Sequence, residues 1–207
     1  LEKMLRRGQI PRLPVYVDSP MAVSISEIFS RHLNSFSFSP EFKDYVAREG
    51  DPFDFESVRY VRTSEDSQKL NSMDGPMIIL SASGMCEGGR ILHHLRHNIG
   101  KDSTQILLVG YQAEGTLGRH LQSGAKKVKI FGLPHHVWAR VQTMHTFSAH
   151  ADRDDLLWFM KNVAPSPRKI FLVHGDPADR AALARHLRGI GLTQTEMPEY
   201  AQTFELE

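Results

Sequence analysis

Three residues in this sequence have the types and spacing for phosphate and metal chemistry: Ser148, His150 and His174. His150 stands in Thr146-Phe147-Ser148-Ala149-His150-Ala151-Asp152-Arg153, after a strand-like segment and ahead of a helix-like one. Ligands of α/β proteins sit at such strand ends. Asp152 and Asp155 are placed to serve the N-terminus of the following helix. A capping turn with an incidental histidine accounts for the segment equally well. His174 repeats the placement, with Ile170-Phe171-Leu172-Val173 before His174-Gly175-Asp176 and a helix from about Pro177. Alone it would more often be structural. Two such histidines joined by one helix make a strand–helix–strand unit, whose right-handed crossover predicts neighbouring strand ends with both imidazoles at one sheet edge. Imidazole suits zinc, and zinc activates water and neutralises phosphate.

Two glycine segments offer a second chemistry. Ser81-Ala82-Ser83-Gly84-Met85-Cys86-Glu87-Gly88-Gly89-Arg90 follows an apolar run and opens a helix. Backbone N–H groups at a helix start bind anions, and Arg90 would add charge. The segment lacks the Gly-Lys-Ser/Thr of a P-loop and the dinucleotide fingerprint. Taken alone, it reads better as a tight turn needing glycine dihedrals. Gly110-Tyr111-Gln112-Ala113-Glu114-Gly115-Thr116-Leu117-Gly118-Arg119 repeats the pattern. On one sheet edge the pair would form a polyanion-facing rim, with Ser83, Gly84, Arg90, Gly115, Thr116 and Arg119 as substrate-binding candidates.

Other clusters carry less. His93 and His97 are four apart and can share a helix face, but no acidic base accompanies them. With His94 and Arg96 they read as a solvated helix surface that could face RNA. Lys126, Lys127 and Lys129 read as a solvated strand entry, phosphate contact being the minority reading, and His135-His136 as loop. Cys86 lacks a histidine partner for nucleophilic work. Asp18 is explained by the helix cap beside it.

The elements that must position these residues alternate. Short strands are expected at 15–17, 58–61, 76–81, 105–109 and 128–131, and helices at 20–33, 64–73, 90–98 and 115–122. Ser19 is the expected N-cap of the first of these helices, with Pro20 at its first position. Residues 34–54 read as irregular or weakly helical. The pattern predicts an α/β fold with a mostly parallel sheet covered on both faces. Past Lys126–His136 the strands turn more polar: 137–144, 169–173 and a closing strand at 203–206, with helices at 153–161 and 178–189. A domain change near 130/131 follows, giving domains 1–130 and 131–207.

Composition sets outer bounds. The 207 residues, 41% hydrophobic and 24% charged, suit a soluble globular chain with a net charge of +1. No apolar run is long enough to span a membrane. A single cysteine and the lack of a leader predict a cytoplasmic protein. The opening LEKMLRRGQIP reads as the tail of a helix, so further residues are expected upstream.

Five ordered motifs carry a family resemblance: Val15–Ala22 (VYVDSPMA), Ser81–Leu95 (SASGMCEGGRILHHL), Val109–Arg119 (VGYQAEGTLGR), Phe147–Arg153 (FSAHADR) and Val173–Asp176 (VHGD). Together they resemble the β-CASP branch of the metallo-β-lactamase fold, which includes the cleavage and polyadenylation endonuclease and ribonuclease J. The resemblance implies a β-CASP domain, with a mostly parallel sheet flanked by helices, and the C-terminal strand–helix portion of a metallo-β-lactamase αββα domain. It implies an RNA phosphodiesterase, single-stranded RNA as partner, two zinc ions in the complete protein and no membrane association; a homodimer is compatible with it. By the same resemblance His150 contacts the scissile phosphate and is a proton-donor candidate, Ser148 binds that phosphate, and His174 is a zinc ligand. In the family a zinc-bridging hydroxide attacks phosphorus in line.

The sequence departs from the family in one large respect. The His-x-His-x-Asp-His motif, the later zinc-ligating His and Asp, and the first β-CASP acidic residue are expected upstream. One zinc ligand is too few for a usual site, so these 207 residues alone are expected to be inert. Two alternatives stand beside this reading. One is a non-catalytic RNA-binding or scaffold member of the same family. The other is a generic nucleotide-binding α/β domain built on the glycine loops, which explains neither histidine.

Overall fold

The computed structural model describes residues 2–205 apart from Phe36, His145, Phe147, Ala149 and residues 164–166. Phe147 and Ala149 of the histidine-bearing motif, and Leu206 of the expected closing strand, lie outside them. The chain forms two compact units, Leu1–Ser148 and Ala149–Glu207. The first runs α1 (Glu2–Arg6), β1 (Val15–Asp18), α2 (Pro20–Arg31), a 3-10 turn (Leu33–Ser35), α3 (Pro40–Glu49), β2 (Val58–Tyr60), α4 (Ser64–Leu70), β3 (Ile78–Ser81) and α5 (Arg90–Asn98). It continues with β4 (Gln105–Leu108), α6 (Leu117–Gln122), β5 (Lys127–Ile130), β6 (Leu133–His136) and β7 (Arg140–Thr143). The second unit holds α7 (Arg153–Val163), β8 (Ile170–Phe171), α8 (Pro177–Gly189) and β9 (Thr195–Glu196).

Local chemistry sets the starts of the helices. Ser19 accepts the Ala22 N–H at 3.3 Å, and Pro20 pre-sets the first turn of α2. Ser39 and Pro40 repeat that signature, Ser39 accepting the Phe42 N–H at 3.3 Å. The stretch expected to be irregular or weakly helical therefore contains a ten-residue helix, α3. A cap signature outweighed the Phe- and Ser-rich composition around it.

The strands are mostly parallel. β1 lies between β2 and β3, parallel to both, and β4 pairs in parallel with β7. β5 and β6 form an antiparallel hairpin. The hairpin was not foreseen: His135 and His136, read as loop, belong to strand β6. Parallel strands alternating with helices are the expected α/β fold, and single strands within it alternate between buried and exposed residues. In β4, Ile106 and Leu108 are buried while Leu107 is 45% exposed, and Leu80 of β3 is 47% exposed. An all-apolar run conceals such alternation, because its outward residues look no different from its inward ones.

The core of the first unit gathers Leu95 from α5 and Ile99 at its C-cap, Ile106 and Leu108 from β4, Leu117 and Leu121 from α6, and Val128 and Ile130 from β5. Each fully buried aliphatic side chain contributes on the order of 1.5–3 kcal/mol. That packing fixes the strand ends from which the candidate loops emerge. In the second unit, β8 and β9 are parallel and joined through α8, with Ile170, Ala184 and Leu187 buried. The expected closing strand is corrected: residues 203–205 form none, and Thr195–Glu196 pairs with β8 instead. Phe204 packs its ring 4.7 Å from that of Phe171, a side-chain contact in place of a ladder.

Candidate functional site

Past the end of β7, Ser148 and His150 both stand exposed. Asp152 opens the helix that follows: its Oδ1 accepts the N–H groups of Asp154 at 2.8 Å and Asp155 at 3.0 Å. Asp155 Oδ2 accepts the Asp152 N–H at 3.2 Å, a reciprocal arrangement of the capping-box kind. The two carboxylates thus serve the helix start, and the histidine is held on the turn before it. The Arg153 guanidinium, 2.7 Å from Asp154, holds that exposed carboxyl below the usual carboxylate range.

His174 lies on the turn between β8 and α8. Leu172 N–H extends the β8–β9 ladder to Glu196 at 2.9 Å. His174 then takes φ +69° and Gly175 φ +88°, two left-handed residues that reverse the chain into the Asp176 cap and Pro177. Left-handed backbone is uncommon for a non-glycine residue, though histidine is among the types that tolerate it. The imidazole is exposed.

β7 pairs with β4 in the first unit, and β8 with β9 in the second. Spacing alone could not show this, since β4 lies more than thirty residues upstream of β7 and competes for its edge. Among the described residues, no three His, Cys, Asp or Glu side chains come together in a way that could hold a metal ion. His174 is the residue expected from the family resemblance to ligate zinc.

The glycine loops meet each other. Glu87 Oε1 accepts the Leu117 N–H at 2.6 Å, and Gly118 N–H donates to the Met85 carbonyl at 3.0 Å. The buried Gln112 amide donates to the Gly84 carbonyl at 3.0 Å and the Gly110 carbonyl at 3.1 Å. Gly118 is required by this closeness, because a Cβ there would fall 1.7 Å from Gln112 Oε1 and 2.9 Å from Met85 O. Thr116 caps α6 by accepting the Arg119 N–H at 3.2 Å. The backbone donors of residues 116–119 are thus engaged internally, Thr116 N–H with Ala113 O. The expected rim is corrected to that extent: β3 and β4 lie in different ladders, and the second loop points its amides at the first.

Arg90 is also turned inward. Its Nη1 donates to Asp18 Oδ1 at 2.7 Å and to Val61 O at 3.0 Å, and its Nη2 to Arg62 O at 3.0 Å. Asp18 is fully buried and receives Ser67 Oγ at 2.6 Å and His94 Nε2 at 2.6 Å on Oδ2. The other ring nitrogen of His94 meets Asn71 Oδ1 at 2.9 Å. His94 is therefore no surface histidine, unlike the exposed His93 and His97. Sequence reasoning missed this cluster. The one local signal is that Arg90 and His94 are four apart and share one face of α5. Cys86 is buried, and that burial, with Glu87 nearby, pushes its thiol up to about 11. It carries no nucleophile.

The motifs run in family order along the sequence, and comparison with known proteins decides the family. A model described as the Beta-Casp domain matches residues 1–121, more than half of the chain. The chain belongs to the β-CASP family. A second model, the Zn-dependent metallo-hydrolase RNA specificity domain, matches residues 134–198 of this β-CASP chain. The chain is 36% identical over 179 residues to Ribonuclease TTHA0252 of Thermus thermophilus, covering 86% of itself and 40% of that protein. It is 34% identical over 208 aligned positions to Transcription termination factor FttA of Methanocaldococcus jannaschii, covering 96% of itself and 32% of that protein. An RNase J-like protein of the same organism is 31% identical over 177 residues, with 85% and 39% covered. The chain spans 32–40% of the length of these relatives.

Proposed function

We propose that this β-CASP chain is the phosphate-handling and closing part of a zinc-dependent RNA phosphodiesterase. The observation that carries the reading is the exposed placement of Ser148, His150 and His174 on turns between strand and helix, in a chain similar to proteins named as ribonucleases. In this reading Ser148 binds the scissile phosphate through its hydroxyl. His150 gives a proton to the leaving oxygen as the phosphorus–oxygen bond breaks, a contribution of about 10²–10⁴-fold. His174 is one ligand of a two-zinc centre whose other ligands come from outside these residues, so the chain by itself is inert. Of the loop candidates, exposed Gly84 and Gly115 and half-exposed Arg119 remain open to RNA, beside Ser83 and Thr116.

The domain reading is part of the proposal: a β-CASP domain over 1–130 and the end of a metallo-β-lactamase-like domain over 131–207, in a cytoplasmic protein. RNA is taken as single-stranded, because a compact active-site approach needs an unpaired backbone. Cleavage of a labelled RNA oligonucleotide by the longer protein containing this chain tests it. Zinc-dependent hydrolysis lost in His150→Ala is expected; hydrolysis indifferent to both chelator and His150→Ala would sink it. Relatives named as termination factors support a second reading, an RNA-binding factor, which predicts RNA binding without hydrolysis.

A further inference from the structure

Two clusters that are separate in sequence meet on the outward face of the hairpin. In the hairpin, Lys127 faces His136 and Lys129 faces Pro134 across the ladder. Val128 and Ile130 are buried, so Lys127 and Lys129 project outward, on the same face as His136. The alternation continues past β6: Val137 and Ala139 pack onto the core, while His136 and Trp138 are exposed, Trp138 to 67%. Their rings lie 6.3 Å apart. The end of α5 adjoins this strand, since Trp138 N–H and Ala139 N–H both donate to Ile99 O at 3.0 Å. His93 of α5 sets its ring 4.9 Å from that of Phe131 at the hairpin turn.

The charge of this region is one-sided. From Gly115 to Ala151 the chain has no Asp or Glu, yet it carries Arg119, Lys126, Lys127, Lys129 and Arg140. Helix α5 has no acidic residue either. The net charge of +1 conceals this segregation. Lysine heads along one strand with exposed rings beside them match a polyanion that also presents flat apolar faces. Unpaired bases offer such faces and duplex bases do not.

We propose that the β5–β6 face, with Lys127, Lys129, His136 and Trp138, is a stacking platform for single-stranded RNA. The choice of RNA over another polyanion rests on the function proposed above. The chain has two tryptophans, Trp138 and Trp158, so Trp158→Phe leaves Trp138 as the only indole reporter. Titration of that variant with a short labelled oligoadenylate, read by Trp138 emission and by anisotropy, should give saturable quenching. Trp138→Ala should raise Kd about 5- to 100-fold, the loss expected for one stacked base. Lys127→Ala/Lys129→Ala should lower the salt slope of log K by about 1.4. All these side chains are exposed, and circular dichroism checks that each variant stays folded. RNA binding with no quenching and with Kd unchanged in both variants overturns the platform, as does no RNA binding at all. Quenching that follows protein concentration, with a dimer in sedimentation, overturns it in favour of self-association. Hydrolysis is scored separately: quenching without cleavage by the longer protein counts against the nuclease reading only, and cleavage without quenching against the platform only.

Discussion

At the end of β1, Asp18 is completely buried and holds Arg90, His94 and Ser67 around one carboxylate. Just past β8, His174 stands exposed on a left-handed turn. Both positions follow a short parallel strand and precede a proline-started helix. At Asp18 the polar groups are satisfied within the fold, which is the condition for tolerating a buried charge. At His174 the backbone instead accepts a conformation that costs on the order of 1–3 kcal/mol for a non-glycine residue and leaves the imidazole facing outward. A strand-end polar residue serves either the fold or a ligand. What separates the two cases is whether partners on neighbouring elements consume its hydrogen-bonding capacity.

The sharpest way to break this contrast is to remove one residue from each side. His150→Ala in the complete protein should lower RNA cleavage by about 10²–10⁴-fold while leaving the urea midpoint of unfolding in place. Asp18→Ala should instead cost about 3–5 kcal/mol of stability, because Arg90 and the buried His94 both lose the carboxylate they share. Denaturant melts would show it, and a loss below about 1 kcal/mol would contradict the structural role. Gly118→Ala forces a methyl group against Gln112 and the Met85 carbonyl, and should cost about 1–3 kcal/mol. Glu87→Ala removes the carboxylate on the Leu117 N–H and should cost about 1 kcal/mol; no loss would mean that the loops hold together without it.

Cys86 gives the smallest effect. Its thiol, raised from 9.0 to about 11, should not react with a disulfide reagent at neutral pH until the chain unfolds. The folded pKa lies above the unfolded one, so this group's contribution to stability is complete below pH 9 and is lost as pH rises towards 11. Rapid labelling in the native state would contradict the burial.

The alternation of helices and strands was legible because caps and apolar runs are local signals. Ser19-Pro20 showed α2, and the same logic, not applied to Ser39-Pro40, would have shown α3. Pairing was not legible. That β7 joins β4, and that residues 195–196 rather than 203–206 close on β8, depends on which distant edge is free, and no local pattern encodes that. The family was legible in the five ordered motifs, which lie along most of the chain. The Asp18 cluster was not, since its members lie at positions 18, 67, 90 and 94, and only the packing of α4 and α5 onto the end of β1 brings them together. Arg90 shows the cost of judging charge by sequence alone. A glycine loop followed by arginine suggested an anion site, and the structure uses that arginine as an internal tie.

The central claim is that Ser148, His150 and His174 are the substrate-handling share of a nuclease whose metal centre these residues do not complete. RNA cleavage by the purified 207-residue chain in the presence of zinc, beside the longer protein that contains it, tests this most directly. The account predicts no turnover by the chain and zinc-dependent, His150-dependent turnover by the longer protein. Zinc-dependent turnover by the chain alone would contradict it.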